Sequence, residues 1–127
     1  QFKGRENIHI IGYTDRVGDY MDASDVVFTK PGGLTSTEAA VKRVALIHTS
    51  PIPGCESKNL DFFTSRGLSV SGAGMREQIE AGRSLAGDDA ARARMIAAQC
   101  AHISPRAAAE IVALLLNECG QEGGENG

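Results

Sequence analysis

Short, wholly apolar runs alternate along this chain with longer stretches in which apolar residues return every three or four positions. That alternation predicts strands joined by crossover helices. Asn7-Ile8-His9-Ile10-Ile11 is β-branched and apolar, stops at Gly12 and predicts a first strand. Val17, Tyr20 and Met21 predict a short helix over Asp15–Ser24. Asp25–Thr29 predicts a second strand, too apolar to alternate and therefore of the kind buried on both faces. Lys30-Pro31-Gly32-Gly33 breaks it. Thr35–Arg43 then predicts a helix, with Thr35 or Ser36 as its N-cap and Glu38 in its first turn.

Val44–His48 predicts a third buried strand, and the proline- and glycine-rich stretch Thr49–Gly54 a loop. A helix is expected over Glu56–Ser65, with Asn59, Leu60 and Phe63 sharing a face, ending at Gly67. Leu68–Ser71 predicts a fourth strand. Helices follow over Arg76–Leu85 and Asp88–Cys100. A last helix is opened by a Ser104 cap with Pro105 behind it and carries Ala108, Ile111, Leu114 and Leu115 on one stripe. It runs to about Cys119 and is closed by Gly120. The tail Gln121–Gly127 is expected to be disordered.

This order predicts an α/β fold: a partial Rossmann-like parallel sheet of about four strands, with flanking helices and C-terminal helices. Doubly wound nucleotide-binding domains usually carry more strands. Residues 1–120 are therefore expected to be the C-terminal part of such a domain. The length of 127 residues allows one domain or part of one. Hydrophobic residues at 42% and charged residues at 23% are ordinary for a globular chain. A net charge of −3 argues against a nucleic-acid partner. No apolar run approaches the ~20 residues that span a bilayer. Cys55, Cys100 and Cys119, like His9, His48 and His102, are scattered, so neither a disulfide framework nor a metal site is expected. A reduced, cytoplasmic setting is the expectation. The chain opens on Gln1 with no signal-like run and is expected to come from something longer.

In a parallel sheet, ligands sit where strand C-termini feed helix N-termini. Gly12–Asp15, Lys30–Thr35 and Ser50–Glu56 are three such loops. The middle one is the most informative. Gly32 and Gly33 let a ligand approach backbone N–H groups, and the helix that follows offers its positive end to an anion. Thr35 and Ser36 add hydroxyls. Glu38, one turn on, suits a pair of hydroxyls such as a ribose diol. Each feature also has a plain structural reading. A Gly-Gly turn makes a tight connection, Lys30 can be a solvated cation, and Glu56 and Asn59 can be surface polar residues. Cys55 can be an ordinary loop cysteine, His9 and His48 packed strand residues, and Gly72-Ala73-Gly74 lacks the third glycine of a phosphate loop.

The ordered set Tyr13-Thr14-Asp15, Ala23–Val27, Thr29–Thr35, Glu38-Ala39 and Pro51-Ile52-Pro53-Gly54-x-Glu56-x-x-Asn59 resembles one family. It is similar to the C-terminal, donor-binding half of GT-B glycosyltransferases. The relevant branch holds monogalactosyldiacylglycerol synthases, processive diacylglycerol glucosyltransferases and the peptidoglycan GlcNAc transferase. The resemblance covers roughly Asn7–Gly72.

It implies that the backbone at Thr14 faces uracil, that Gly32, Gly33, Leu34 and Thr35 cradle the UDP phosphates, and that Glu38 holds the ribose hydroxyls. Gly54, Cys55, Glu56 and Asn59 match the region touching the donor sugar and nearby phosphate. UDP-sugar is the implied donor, with no bound cofactor or metal. The acceptor, a lipid such as diacylglycerol, and the general base of inverting transfer belong to an N-terminal domain outside this chain. The full-length protein is then cytoplasmic or peripheral at the membrane, and this portion alone is expected to be inactive. Relatives usually carry Gln where Cys55 stands, and a thiol lacks the two-sided hydrogen bonding of an amide. They also read Gly-Leu-Pro where this chain has Arg43-Val44-Ala45.

Two other functions fit the same residues: GlcNAc transfer to a polyprenyl-linked acceptor, and a non-catalytic binding or assembly module that keeps the fold. A sheet lacking its first strands exposes an edge, so self-association is also expected.

Overall fold

The computed structural model describes residues 5–121. Three parallel strands, β1 (Val26–Thr29), β2 (Ala45–His48) and β3 (Val70–Ser71), form one sheet in the order β1-β2-β3. Six helices accompany it: α1 (Val17–Asp22), α2 (Gly33–Val41), α3 (Cys55–Ser65), α4 (Met75–Gly87), α5 (Asp89–His102) and α6 (Ala107–Gln121). The α/β class, the parallel sheet and the alternation of strand and helix are as the hydrophobic pattern predicts.

The central strand explains why the pattern reads so clearly. All four residues of β2 are buried, flanked by strands on both edges and by helices packed on the sheet. A strand in that position has no polar face to show. Leu46 and Ile47 are wholly buried and join Met21, Ala39, Ala40, Phe63, Leu68, Leu85 and Met95 in one core. Gln99 of α5 also reaches this core, where its Nε2 donates to the carbonyls of Val44 and Leu68 at 3.1 and 3.0 Å.

The first predicted strand does not form. Residues 7–11 have no ladder partner, and Ile10 and Ile11 are 81% and 50% exposed. A β-branched run becomes a strand by hydrogen bonding to a neighbour, and among the described residues none lies beside it. Among the described residues the sheet has three strands, not four, and no strand pairs with the outer edge of β1.

Helix ends differ in smaller ways. Gly32, in extended conformation, is the N-cap of α2, ahead of the predicted Thr35 or Ser36, so Glu38 falls in the second turn. α3 starts at Cys55, which is therefore a helix residue rather than a loop one. α6 starts at Ala107, because Ser104 Oγ accepts from the Arg106 N–H in a local turn, and the helix runs through Gly120. Gln121 is its last residue, and the rest of the predicted disordered tail lies outside the described residues. Ile111, Leu114 and Leu115 on the predicted apolar stripe are all more than half exposed.

Candidate functional site

The sheet register sets the level at which the loops depart. Thr29 pairs with His48, and His48 with Ser71, so all three strands end side by side. The ladder extends one step further, with Thr49 N–H donating to the Thr29 carbonyl at 2.9 Å. The loops after β1, β2 and β3 thus open on one end of the sheet.

The loop after β1 is short. Pro31 is buried, and Gly32 N–H turns back onto the Lys30 carbonyl at 2.7 Å. α2 begins at once, with no side chain capping it. Its first internal bond runs from Ser36 N–H to the Gly32 carbonyl at 3.1 Å. The N–H groups of Gly33, Leu34 and Thr35 have no acceptor among the described residues, as the geometry of a helix start dictates. Those three residues are exposed, Leu34 at 91%. An uncapped nine-residue helix presenting free amides and its positive dipole end suits an anionic group.

The loop after β2 swings through Gly54, whose φ of 113° is a backbone state that favours glycine, and ends on exposed Cys55. Two residues of α3 tie these loops together. Glu56 Oε2 accepts from the Ile52 N–H at 2.6 Å, and its Oε1 faces Lys30 Nζ at 3.4 Å. The Ile52 hydrogen bond, with help from Lys30, holds the Glu56 carboxyl below the usual carboxylate range. Asn59 Nδ2 donates to the Pro31 carbonyl at 3.0 Å and stands 3.8 Å from where a side chain at Gly33 would begin.

Glu38 and Thr14 lie on the other flank. Glu38 is exposed on α2, facing Gly18 of α1. Thr14 closes the turn into α1 through its Oγ1, which accepts from the Arg16 N–H at 3.1 Å. The structure therefore brings Gly32, Gly33, Glu56 and Asn59 together around one loop, with Gly54 and Cys55 at the start of α3 beside them. Glu38 is set toward α1. None of the ten predicted residues lines the open hollow of about 660 Å³ along Met75, Arg76, Ile79, Glu80 and Arg83 of α4. Among the described residues no group of three or more His, Cys, Asp or Glu converges as a metal site.

One buried cluster behind this surface was not legible as such in the sequence. His48 is wholly buried at the end of β2. Its Nε2 bonds Ser36 Oγ of α2 at 2.8 Å, its Nδ1 bonds Ser69 Oγ at 2.9 Å, and Phe63 stacks edge-on at 5.3 Å. Burial pushes its pKa down to about 4, so the ring is neutral, donating to one serine and accepting from the other. His48 is thus a packed strand residue that pins the first turn of α2 to the sheet. His9, by contrast, is exposed and outside any strand.

The chain is 36% identical over 95 residues to the processive diacylglycerol beta-glucosyltransferase of Staphylococcus carnosus, covering 75% of this chain and 24% of that protein. It is 32% identical over 118 residues to the enzyme of the same name from Bacillus cytotoxicus, covering 93% of this chain and 30% of that protein. A Staphylococcus aureus protein of this name is 38% identical over 68 residues, which is 54% of this chain and 17% of its own length. The chain thus spans less than a third of the curated relatives it matches. No family model matches it, and no solved structure matches it. The motif resemblance to glycosyltransferases of the diacylglycerol glucosyltransferase type is borne out by these relatives.

Proposed function

We propose that this chain is the donor-binding portion of an inverting glycosyltransferase that moves a hexose from a UDP-sugar to a lipid such as diacylglycerol. The observation that carries the reading is the uncapped start of α2. The N–H groups of Gly33, Leu34 and Thr35 stand free and exposed at the carboxyl end of a parallel sheet. The relatives named diacylglycerol beta-glucosyltransferases support the reading for the whole protein.

In this account the diphosphate lies on the α2 amides, with the Lys30 ammonium nearby, and Glu38 takes the ribose hydroxyls. Thr14 offers backbone to the base, and the start of α3 at Gly54 and Cys55 faces the sugar. Charge that develops on the leaving UDP is stabilised by amides already oriented by the helix, so no reorganisation is needed at the moment of transfer. Transfer also needs a base to deprotonate the acceptor hydroxyl. We assign that base, and the acceptor site, to sequence outside this chain, so the chain alone binds the donor without transferring sugar. A lipid acceptor places the work at a membrane surface, and no helix among the described residues is long and apolar enough to cross a membrane.

Titration calorimetry of UDP against the full chain and its Glu38→Ala variant tests this reading. Binding by the wild type, weakened about tenfold or more by loss of the charged acceptor for the diol, is expected. Equal binding by both proteins removes Glu38 from the site.

A further inference from the structure

The apolar anchorage of α2 begins only in its second turn. Ala39 and Ala40 are its buried apolar residues, and from residue 33 to residue 38 only Ser36 is buried. Ser36 is held by a hydrogen bond instead. Its Oγ lies 2.8 Å from His48 Nε2, and its own N–H closes the first turn on the Gly32 carbonyl at 3.1 Å. The amides of Gly33, Leu34 and Thr35 lie between Gly32 and Ser36. His48 is fixed in its turn: Ser69 Oγ bonds its Nδ1 at 2.9 Å, and Ser71 Oγ donates to its carbonyl at 2.8 Å. A methyl group packed on a sheet can slide at small cost, whereas a hydrogen bond weakens steeply away from its preferred angle.

We propose that Ser36 and His48 are positioning residues of the donor site: their buried hydrogen bond sets the angle at which α2 leaves the sheet, and with it the aim of the three free amides. The inference rests on the proposed donor site. Both residues are wholly buried, so they act through the helix and not on the ligand. They hold the amides in place before the diphosphate arrives, so binding does not have to supply that ordering. Ser69 bonds the other nitrogen of the same ring and belongs to the lead into β3, not to α2. Losing its hydroxyl takes a bond from His48 and leaves the link to Ser36 in place.

Titration calorimetry of UDP against the full chain, with the folding of each variant checked by circular dichroism, separates positioning from plain stability. Ser36→Ala is expected to weaken UDP about fivefold, the worth of one hydrogen bond. Ser69→Ala, which also removes a buried bond to His48, binds close to wild type. His48→Leu weakens UDP as Ser36→Ala does, and His48→Gln, whose amide can still bond Ser36, recovers most of the affinity. Equal weakening in Ser36→Ala and Ser69→Ala overturns the proposal, and so does unchanged binding by Ser36→Ala. A wild type that binds no UDP overturns the donor-site reading, and the inference with it.

Amide hydrogen exchange on the ligand-free chain then judges the geometry without a nucleotide. The Ser36 N–H is expected to lose protection in His48→Leu and to keep it in Ser69→Ala, while Leu46 and Ile47 in β2 stay protected in both. Unchanged protection at Ser36 in His48→Leu overturns the positioning role. A parallel loss at Leu46 and Ile47 overturns it too, because that reports a loosened core and not a freed helix start.

Discussion

Acidification should unfold this protein through His48. The ring is wholly buried between Ser36, Ser69 and Phe63, with a folded-state pKa of about 4 against 6.5 for the free side chain. The unfolded chain therefore takes up a proton at a pH where the folded chain does not. A group whose folded pKa is depressed leaves stability intact above its unfolded value and erodes it as pH falls through the interval to the folded value. Here the window runs from 6.5 down to about 4. Linkage over that interval gives a loss of about 2 kcal/mol between pH 7 and 4.5, and about 3 kcal/mol once both forms are protonated. The Glu56 carboxyl, held low by Ile52 and Lys30, acts in the same direction at lower pH. A comparison at His48 itself is therefore needed. Urea denaturation of wild type and His48→Gln at pH 7, 5.5 and 4.5 supplies it, since glutamine can bond both serines and does not titrate. The wild type should lose about 2 kcal/mol more than the variant across this range. Parallel losses in the two proteins would refute the reasoning and leave the acid sensitivity to carboxylates.

Arg43 ends α2 with a φ of 60°, its side chain exposed, while Val44 N–H closes back on the Ala39 carbonyl at 3.3 Å. Arg43→Gly, which relieves the left-handed backbone at this helix terminus, should stabilise the fold by up to about 1 kcal/mol in thermal denaturation. Gln99→Leu strands the Val44 and Leu68 carbonyls in the core and should cost about 2–4 kcal/mol by chemical denaturation. The cost is tempered because Gln99 Oε1 has no partner to lose. The outer edge of β1, unpaired among the described residues, and the exposed Ile111, Leu114 and Leu115 of α6 lead us to expect self-association. Light scattering that reports a monomer at high concentration contradicts it.

What the sequence revealed and what it hid follow from the range of the interactions. β2 was readable because a strand buried on every side must be continuously apolar, and Ala45-Leu46-Ile47 is. The Gly32-Gly33 turn was readable because its chemistry is local. The run at residues 7–11 misled for the complementary reason: its composition records a preference for pairing, but whether a partner lies alongside is a tertiary fact. The α2 cap misled more gently, since three hydroxyl residues in Thr35-Ser36-Thr37 outcompete a glycine in any local rule, yet the chain turns at Gly32. Asn59 on Pro31 and His48 between Ser36 and Ser69 were invisible because each contact joins residues 12 or more positions apart. No spacing rule reaches that far. The contact of Glu56 with Lys30, 26 positions away, was hidden in the same way, whereas its bond to Ile52, four positions back, is local.

In the proposed donor site, the free amides at the start of α2 receive the diphosphate of a nucleotide-sugar. Two-dimensional amide NMR of the full chain during titration with UDP tests this directly. Saturable shifts are expected at the N–H groups of Gly33, Leu34 and Thr35, with smaller shifts at Glu38 and Thr14. Shifts confined to the α4 face around Met75 and Arg83, or none at the α2 amides when UDP is in large excess, would contradict it.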